Sequence, residues 1–381
     1  MNLTEPLQLT NATDAWGHPQ AWGVQDGRLT RSARGRRLDL GGARLLPGFI
    51  NAHDHLHLNG ALPRLAYRSA YRNASEWIAD ITPRLQHDPQ LLAHRARPRA
   101  ERLWAGGLKN LLSGVTTVLH HDPREPVLAS PGFPVRAPAP GGWSHSLALE
   151  GEAAVQASRR ATPDGALWVI HAAEGCDAAA AAEGDRLQAL GCIGPGTLLV
   201  HGLGLSAAQQ EQVISAGAAV AWCPGSNLHL FGNTLDPTLL AAAGRLVLGS
   251  DSRISGGRDL LAELQLVQAL TGWPDERLWR WVTEEAAQVL GLHDRGRLAP
   301  GLCADLVALP RGLPLAQATR ADLRLVMVGG RVLVADADLG EPLGLVPVLL
   351  DGRRKTLAPD LLGHAEEPGL TLAAADSRCM A

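Results

Sequence analysis

Four separate places in the sequence pair an apolar run with a residue able to do chemistry. Leu46–Ile50 leads into Asn51-Ala52-His53-Asp54-His55, and Leu167–Ile170 into His171-Ala172-Ala173-Glu174. Leu198–Val200 leads into His201, and Leu246–Leu248 into Gly249-Ser250-Asp251. In extended backbone residues i and i+2 share a face, so His53 and His55 can point into one site. Imidazole nitrogen with one hard carboxylate oxygen is a donor set for a divalent ion that leaves room for water. Taken singly, each histidine reads as an ordinary polar residue at a strand end. Four compatible strand ends point to a metal centre.

The elements between these ends alternate. Short buried runs at Val115–Leu119, Leu167–Ile170, Leu198–Val200, Ala218–Ala221 and Leu246–Leu248 are separated by helical stretches at 101–112, 206–216, 258–270 and 275–291. Strand–helix alternation predicts a parallel sheet, and about eight units close into an α/β, (β/α)8 TIM barrel with its site at the C-terminal strand ends. Strand 1 is expected near Leu46–Asn51 and strand 3 loosely near Phe133–Arg136. Strand 4 is not legible in the Pro- and Gly-rich stretch 122–165, where Ser144–Leu149 is the weak candidate. The barrel is therefore expected to be distorted, with a short strand 3–5 region. Short alternating strands at 1–45 and again at 296–345, the latter with a Gly329-Gly330 hairpin turn, predict a small composite β-sandwich domain from both ends. The barrel would span 46–295, and 346–381 is a tail without clear periodicity.

Composition narrows the classes. The 381 residues carry 46% apolar and 19% charged side chains and a formal charge of −3. That excludes a disordered chain and gives no basic footprint for nucleic acid. No apolar run reaches the roughly 18 residues of a membrane helix. Met1–Thr10 lacks the basic start and apolar core of a signal peptide, and the five cysteines form no CxxC pair. Both features set the expectation of a cytoplasmic protein with reduced thiols. Lys109 and Lys355 are the only lysines among 35 basic residues.

Leu46-Pro-Gly-Phe-Ile-Asn-Ala-His-Asp-His55 resembles the opening signature of the amidohydrolase superfamily. The chain is more closely similar to its branch of cytosine deaminases, triazine chlorohydrolases and adenosylhomocysteine deaminases. His171-Ala-Ala-Glu174, His201-Gly202, Cys223-Pro-Gly-Ser-Asn-Leu228 and Gly249-Ser-Asp-Ser252 resemble later signatures of that branch, in order. Glu284-Glu-Ala-Ala287, Gly296–Gly301 and Ala304-Asp-Leu-Val307 resemble its exit from the barrel.

The resemblance implies one divalent ion, Zn²⁺ or Fe²⁺ with Mn²⁺ also suited, on His53, His55, His171 and Asp251. It implies catalytic roles for Asp251 as the acceptor of the water proton, His201 as a partner of the water or oxyanion, and Glu174 as the proton shuttle. The alternative for Glu174 is a supporting hydrogen bond to His171. The substrate would be a small molecule, a nitrogen heterocycle losing an amine. Cyclic amide hydrolysis, ring dehalogenation and a non-catalytic scaffold are the alternatives. Relatives of this branch often dimerise, so a homodimer is an expectation.

Three departures stand out. Trp222 occupies a position where the family usually has histidine, 122–165 is short, and His57, His120 and His121 are extra. His57, His121, Trp222 and Asn227 are the candidate substrate-side residues, with packing for Trp222 and bracing of the strand-7 turn for Asn227 as the alternatives. Binuclear members bridge two metals with a strand-4 lysine. Lys109 precedes strand 2 and Lys355 lies in the tail, so a single ion is favoured, with a bridge from Glu150 the remaining route to a second.

Overall fold

The computed structural model describes residues 5–364 and 367–373. Its centre is two sets of parallel strands in a TIM-barrel-like arrangement. Phe49–Asp54 pairs with Val115–His120. Gly142–Ser146, Trp168–Ala172, Thr197–His201, Ala219–Trp222 and Leu246–Leu248 form a five-stranded parallel sheet. Trp168–Ala172, Thr197–His201, Ala219–Trp222 and Leu246–Leu248 are fully buried, mostly apolar runs because both faces are covered, as parallel sheets require. Between the two sheets the expected strand 3 shrinks to one parallel bridge, Thr117 to Arg136. The missing fourth strand is Gly142–Ser146, and Leu147–Glu150, expected in part as strand, is a helical turn capped by Ser146. The result is a TIM-barrel-like α/β arrangement with interruptions in its hydrogen-bond ladder.

Helices lie between the strands where the apolar spacing put them, at Arg99–Leu112, Ala207–Ser215, Leu260–Thr271 and from Asp275 onward. Arg99–Leu112 buries Leu103, Leu108, Leu111 and Leu112 against the parallel strands, one stripe of a 3.6-residue repeat. Ala207–Ser215 begins on a Ser206/Gln209 capping box.

Strands from both ends of the chain share one ten-stranded sheet, where two packed sheets were expected. The reason is the 12-residue strand Arg36–Pro47, which pairs in parallel with Leu7–Thr13 and antiparallel with Leu306–Leu309. It thereby joins the two ends into one continuous ladder. The tail, in which no periodicity could be read, extends that sheet with Val346–Leu350, Arg353–Leu357 and Leu370–Leu372. Alternation is weak in these short strands, which hid them. Cys379 lies outside the described residues. Through Pro47-Gly48 the long strand runs directly into Phe49–Asp54, and the Gly48 N–H donates to the Asp305 carbonyl at 2.8 Å. The first chemical strand is thus anchored to the sheet at its root. No helix among the described residues is long and apolar enough to cross a membrane.

Candidate active site

The C-terminal ends of the parallel strands bring His53, His55, His171, His201 and Asp251 together. One ligand atom each from His53, His171 and His201, and from His53, His55 and Asp251, lie within 4.8 Å of one another. His53 Nε2 is 3.7 Å and His55 Nε2 4.0 Å from Asp251 Oδ1. His55 Nε2 and His171 Nε2 face each other at 3.2 Å. His53 is wholly buried, yet neither of its ring nitrogens has a hydrogen-bond partner. Leaving a buried polar group unpaired costs about 1–3 kcal/mol. An orphaned imidazole among other imidazole nitrogens and a carboxylate is what a divalent cation would satisfy, and the donor set fits one. Burial lowers the His53 imidazole to about 4 against the opposing pull of Asp251, so the ring is neutral and its lone pair free at pH 7.

The outer ring nitrogens are committed elsewhere. His171 Nδ1 meets the His145 carbonyl at 2.9 Å and His55 Nδ1 meets Asp122 Oδ2 at 2.7 Å. His201 Nδ1 meets Asn227 Oδ1 at 2.9 Å. In each case the partner accepts an Nδ1–H, which fixes the tautomer that presents Nε2 to the centre. Asp251 is aimed by the Ser252 N–H at 2.6 Å and the Ser255 hydroxyl at 2.8 Å. His201 and Asp251 both sit at positive φ, +74° and +53°. Non-glycine residues hold such angles at a cost of order 1–3 kcal/mol, and such strain gathers at functional sites. Gly249 permits the close approach beneath them. A Cβ there would lie 2.7 Å from the His53 Cβ.

Glu174 stands at the rim. Its Oε1 is 3.5 Å from His201 Nε2, and it lines a cavity with His171, His145, Asn73, Ser75 and Ile78. Burial pushes its carboxyl up to about 7, with nearby Asp251 adding to the rise and His201 opposing it. A carboxyl with that affinity can carry a proton at neutral pH.

The other sequence candidates have different places. Trp222 is fully buried, packs against Trp281 and donates its Nε1–H to Thr234 at 2.7 Å. It packs in the core and is not among the residues that line that cavity. Asn227 is equally buried and spends its amide on His201 and Thr234, so it braces a site residue and does not face the cavity. His121 stacks on His171 with ring centroids 4.3 Å apart and meets the Ser144 carbonyl at 2.9 Å, which puts it behind the cluster. His57 joins His120 and Asp122 in a separate group. Glu150 is exposed and accepts the His145 N–H at 2.6 Å, away from the cluster.

Sequence reasoning missed Asp122, His145 and the buried pair Lys109–Asp54. Asp122 directly follows the His120-His121 pair at a strand end, a signal that was present. His145 lay in the strand that could not be read.

The amidohydrolase family model matches residues 68–334, more than half of the chain. The chain belongs to the amidohydrolase family. It is similar to an 8-oxoguanine deaminase of Pseudomonas aeruginosa, 32% identical over 200 residues that cover 47% of this chain and 43% of that one. A 5-methylthioadenosine/S-adenosylhomocysteine deaminase of Desulfitobacterium hafniense is 31% identical over 174 residues, 40% of each chain. The matches thus span about two fifths of the length of these curated relatives. Among solved structures, an adenosine deaminase from Xanthomonas campestris with bound zinc superposes with a TM-score of 0.68 at 19% identity, covering 88% of this chain and 93% of that one. At that identity the likeness is one of fold.

Proposed function

We propose that this amidohydrolase-family chain is a mononuclear, metal-dependent aminohydrolase that removes an amine from a nitrogen heterocycle. The observation that carries the reading is the juxtaposition of Glu174 with the orphaned nitrogens of His53. A proton-carrying carboxyl at a cavity rim stands beside an imidazole cluster that wants a cation. His53, His55, His171 and Asp251 would hold one ion, Zn²⁺ or Fe²⁺ with Mn²⁺ acceptable to the same donors. One ion is favoured because, among the described residues, neither lysine bridges the histidines and Asp251 is the carboxylate grouped with them.

When bound, a divalent ion lowers the pKa of water toward about 7 and supplies the nucleophile. The remaining chemistry belongs to the side chains. Asp251 accepts the proton of the attacking water. His201, its Nδ1–H held by Asn227, accepts a hydrogen bond at Nε2 from the attacking water and so aims it at the ring carbon. Glu174 gives its proton to the adjacent ring nitrogen, takes the remaining proton of the added hydroxyl as the adduct collapses and passes it to the departing amine, which leaves as ammonia or an alkylamine, and the proton held by Asp251 restores the Glu174 carboxyl. Each proton transfer of this kind contributes about 10²–10⁴-fold. The curated relatives named as deaminases support this reading over hydrolysis of a cyclic amide or a ring halide.

The same reading divides the chain into a barrel at 46–295 and a composite β unit from 1–45 and 296–345, with the later strands extending its sheet. A cytoplasmic location and a homodimer belong to it too. The test is amine release from amino-purines, amino-pyrimidines, pterins and amino-triazines by zinc- or iron-loaded protein. Turnover of at least one class is expected. No amine from any of them, with the metal in place, would overturn the reading.

A further inference from the structure

One of the chain's two lysines lies directly beneath the metal cluster. Lys109, on the helix Arg99–Leu112, is wholly buried. Its ammonium has three protons and three acceptors: Asp54 Oδ2 at 3.1 Å, Asn59 Oδ1 at 2.9 Å and the Asp251 carbonyl at 2.8 Å. Asp54 stands between His53 and His55. By the alternation of a strand its carboxylate points away from the cluster, toward the helix. There it also takes the Asn110 amide at 2.8 Å and, on its other oxygen, the Asn59 amide at 2.9 Å. The network is buried and its donors and acceptors are matched.

Its position matters because of what is missing beside it. The strand bearing His53 and His55 and the strand leading to Asp251 share no ladder. Among the described residues one main-chain hydrogen bond joins them, from the Asp251 N–H to the His53 carbonyl at 3.1 Å. Side chains supply the rest of the junction. Asn51 spans to Ser250 through two contacts, at 2.8 and 3.0 Å. Lys109 ties Asp54 to the carbonyl of Asp251, the residue held at positive φ.

We propose that Lys109 is a positioning residue: through Asp54 and the Asp251 carbonyl it sets the spacing between the two histidines of strand 1 and the carboxylate of strand 8, and so the geometry of the bound ion. The proposal rests on the metal-site reading above. It explains why a chain nearly free of lysine keeps one here. A compact ammonium on a flexible stem can put three N–H groups into three converging acceptors, whereas the planar fork of arginine cannot.

Removing Lys109 alone would leave Asp54 buried and uncompensated, a change that destabilises any fold. The test therefore uses Asp54→Asn with Lys109→Met in one chain, since replacing both members of a buried ion pair is often neutral. Three quantities are measured on the full-length protein: melting temperature without metal, Co²⁺ affinity by competition with a chelator, and the visible absorption of the Co²⁺ form. The double variant is expected to melt close to the unaltered protein, to bind Co²⁺ about 10–100-fold more weakly, and to show a changed cobalt band. An unchanged affinity and band overturn the proposal. A double variant that does not fold overturns it too, because the pair would then carry the fold and not the ligand spacing. Unaltered protein that takes up no Co²⁺ overturns the metal-site reading itself, and the proposal with it.

Discussion

Two glutamates in this molecule, Glu263 in the interior and Glu174 at the cavity rim, have carboxyls shifted in the same direction and quite different surroundings. Burial raises both Glu174 and Glu263 to about 7. Glu263 spends both oxygens on main-chain donors, the Gly225 N–H at 2.9 Å and the Gly257 N–H at 2.7 Å. Those two glycines have no room for a side chain, since a Cβ on either would fall within 2.3 Å of Glu263 Oε1. The carboxylate thus clamps the turn after Trp222 to the loop after Asp251. Glu174 has no such anchorage. Its near neighbour is His201 Nε2 at 3.5 Å, and it faces the cavity. A raised pKa therefore does not identify a catalytic acid by itself. What separates Glu174 as the proposed acid is its place beside a cavity with no main-chain donor holding it, among the described residues.

The largest effect that separates the two should be kinetic. Glu174→Gln cannot shuttle a proton, so kcat should fall about 10³-fold with metal content unchanged. Glu263→Gln should keep kcat within about tenfold. Its amide would set an NH₂ against one of the two main-chain N–H groups, at a cost of about 1–3 kcal/mol of stability. Steady-state kinetics and denaturant unfolding of both variants decide the matter. Equal losses of kcat would erase the distinction.

The next effect is in stability against pH. The Glu174 carboxyl rises from its ordinary 4.5 to about 7. Between those values the unfolded chain ionises this group while the folded chain does not, so folding weakens as pH rises through that window and stays weakened above it. Glutamine has no charge to bury. Metal-free Glu174→Gln should therefore match the unaltered protein near pH 4.5 and exceed it at pH 8 by up to about 3 kcal/mol. Glu263→Gln should show less gain, because it also loses a main-chain acceptor. Unfolding curves at the two pH values test this.

A smaller effect should follow from Asn227→Ala. His201 would keep its place but lose the partner that fixes its tautomer. A drop in kcat of about 10–100-fold with undiminished metal content is expected. Loss of the metal instead would make His201 a ligand.

The sequence made the chemical strand ends legible because buried parallel strands are continuous apolar runs and their polar terminators stand out. His53, His55, His171, Glu174, His201 and Asp251 were readable in that way, and the helical stretches between them were legible too. Gly142–Ser146 was hidden because five residues with two serines and a histidine carry no apolar run. With it went His145, whose carbonyl orients His171. For Trp222 and Asn227 the sequence left substrate contact open beside packing and bracing, since one strand end can face core or cavity and neighbouring helices decide which; both are buried. Lys109 was legible as a helical residue but not as a buried one. Its partner Asp54 is distant in sequence, and only the packing of helix against strand brings the charges together. The same holds for Glu263, which no local pattern distinguishes from a surface glutamate.

The central claim is that His53, His55, His171 and Asp251 hold one divalent ion. It is tested most directly by the metal content of purified protein, measured by elemental analysis beside His53→Ala. One equivalent of zinc or iron per chain is predicted, with less than a tenth of that in the variant at undiminished fold. An unaltered protein without stoichiometric metal, or a His53→Ala variant that retains it, would contradict the account.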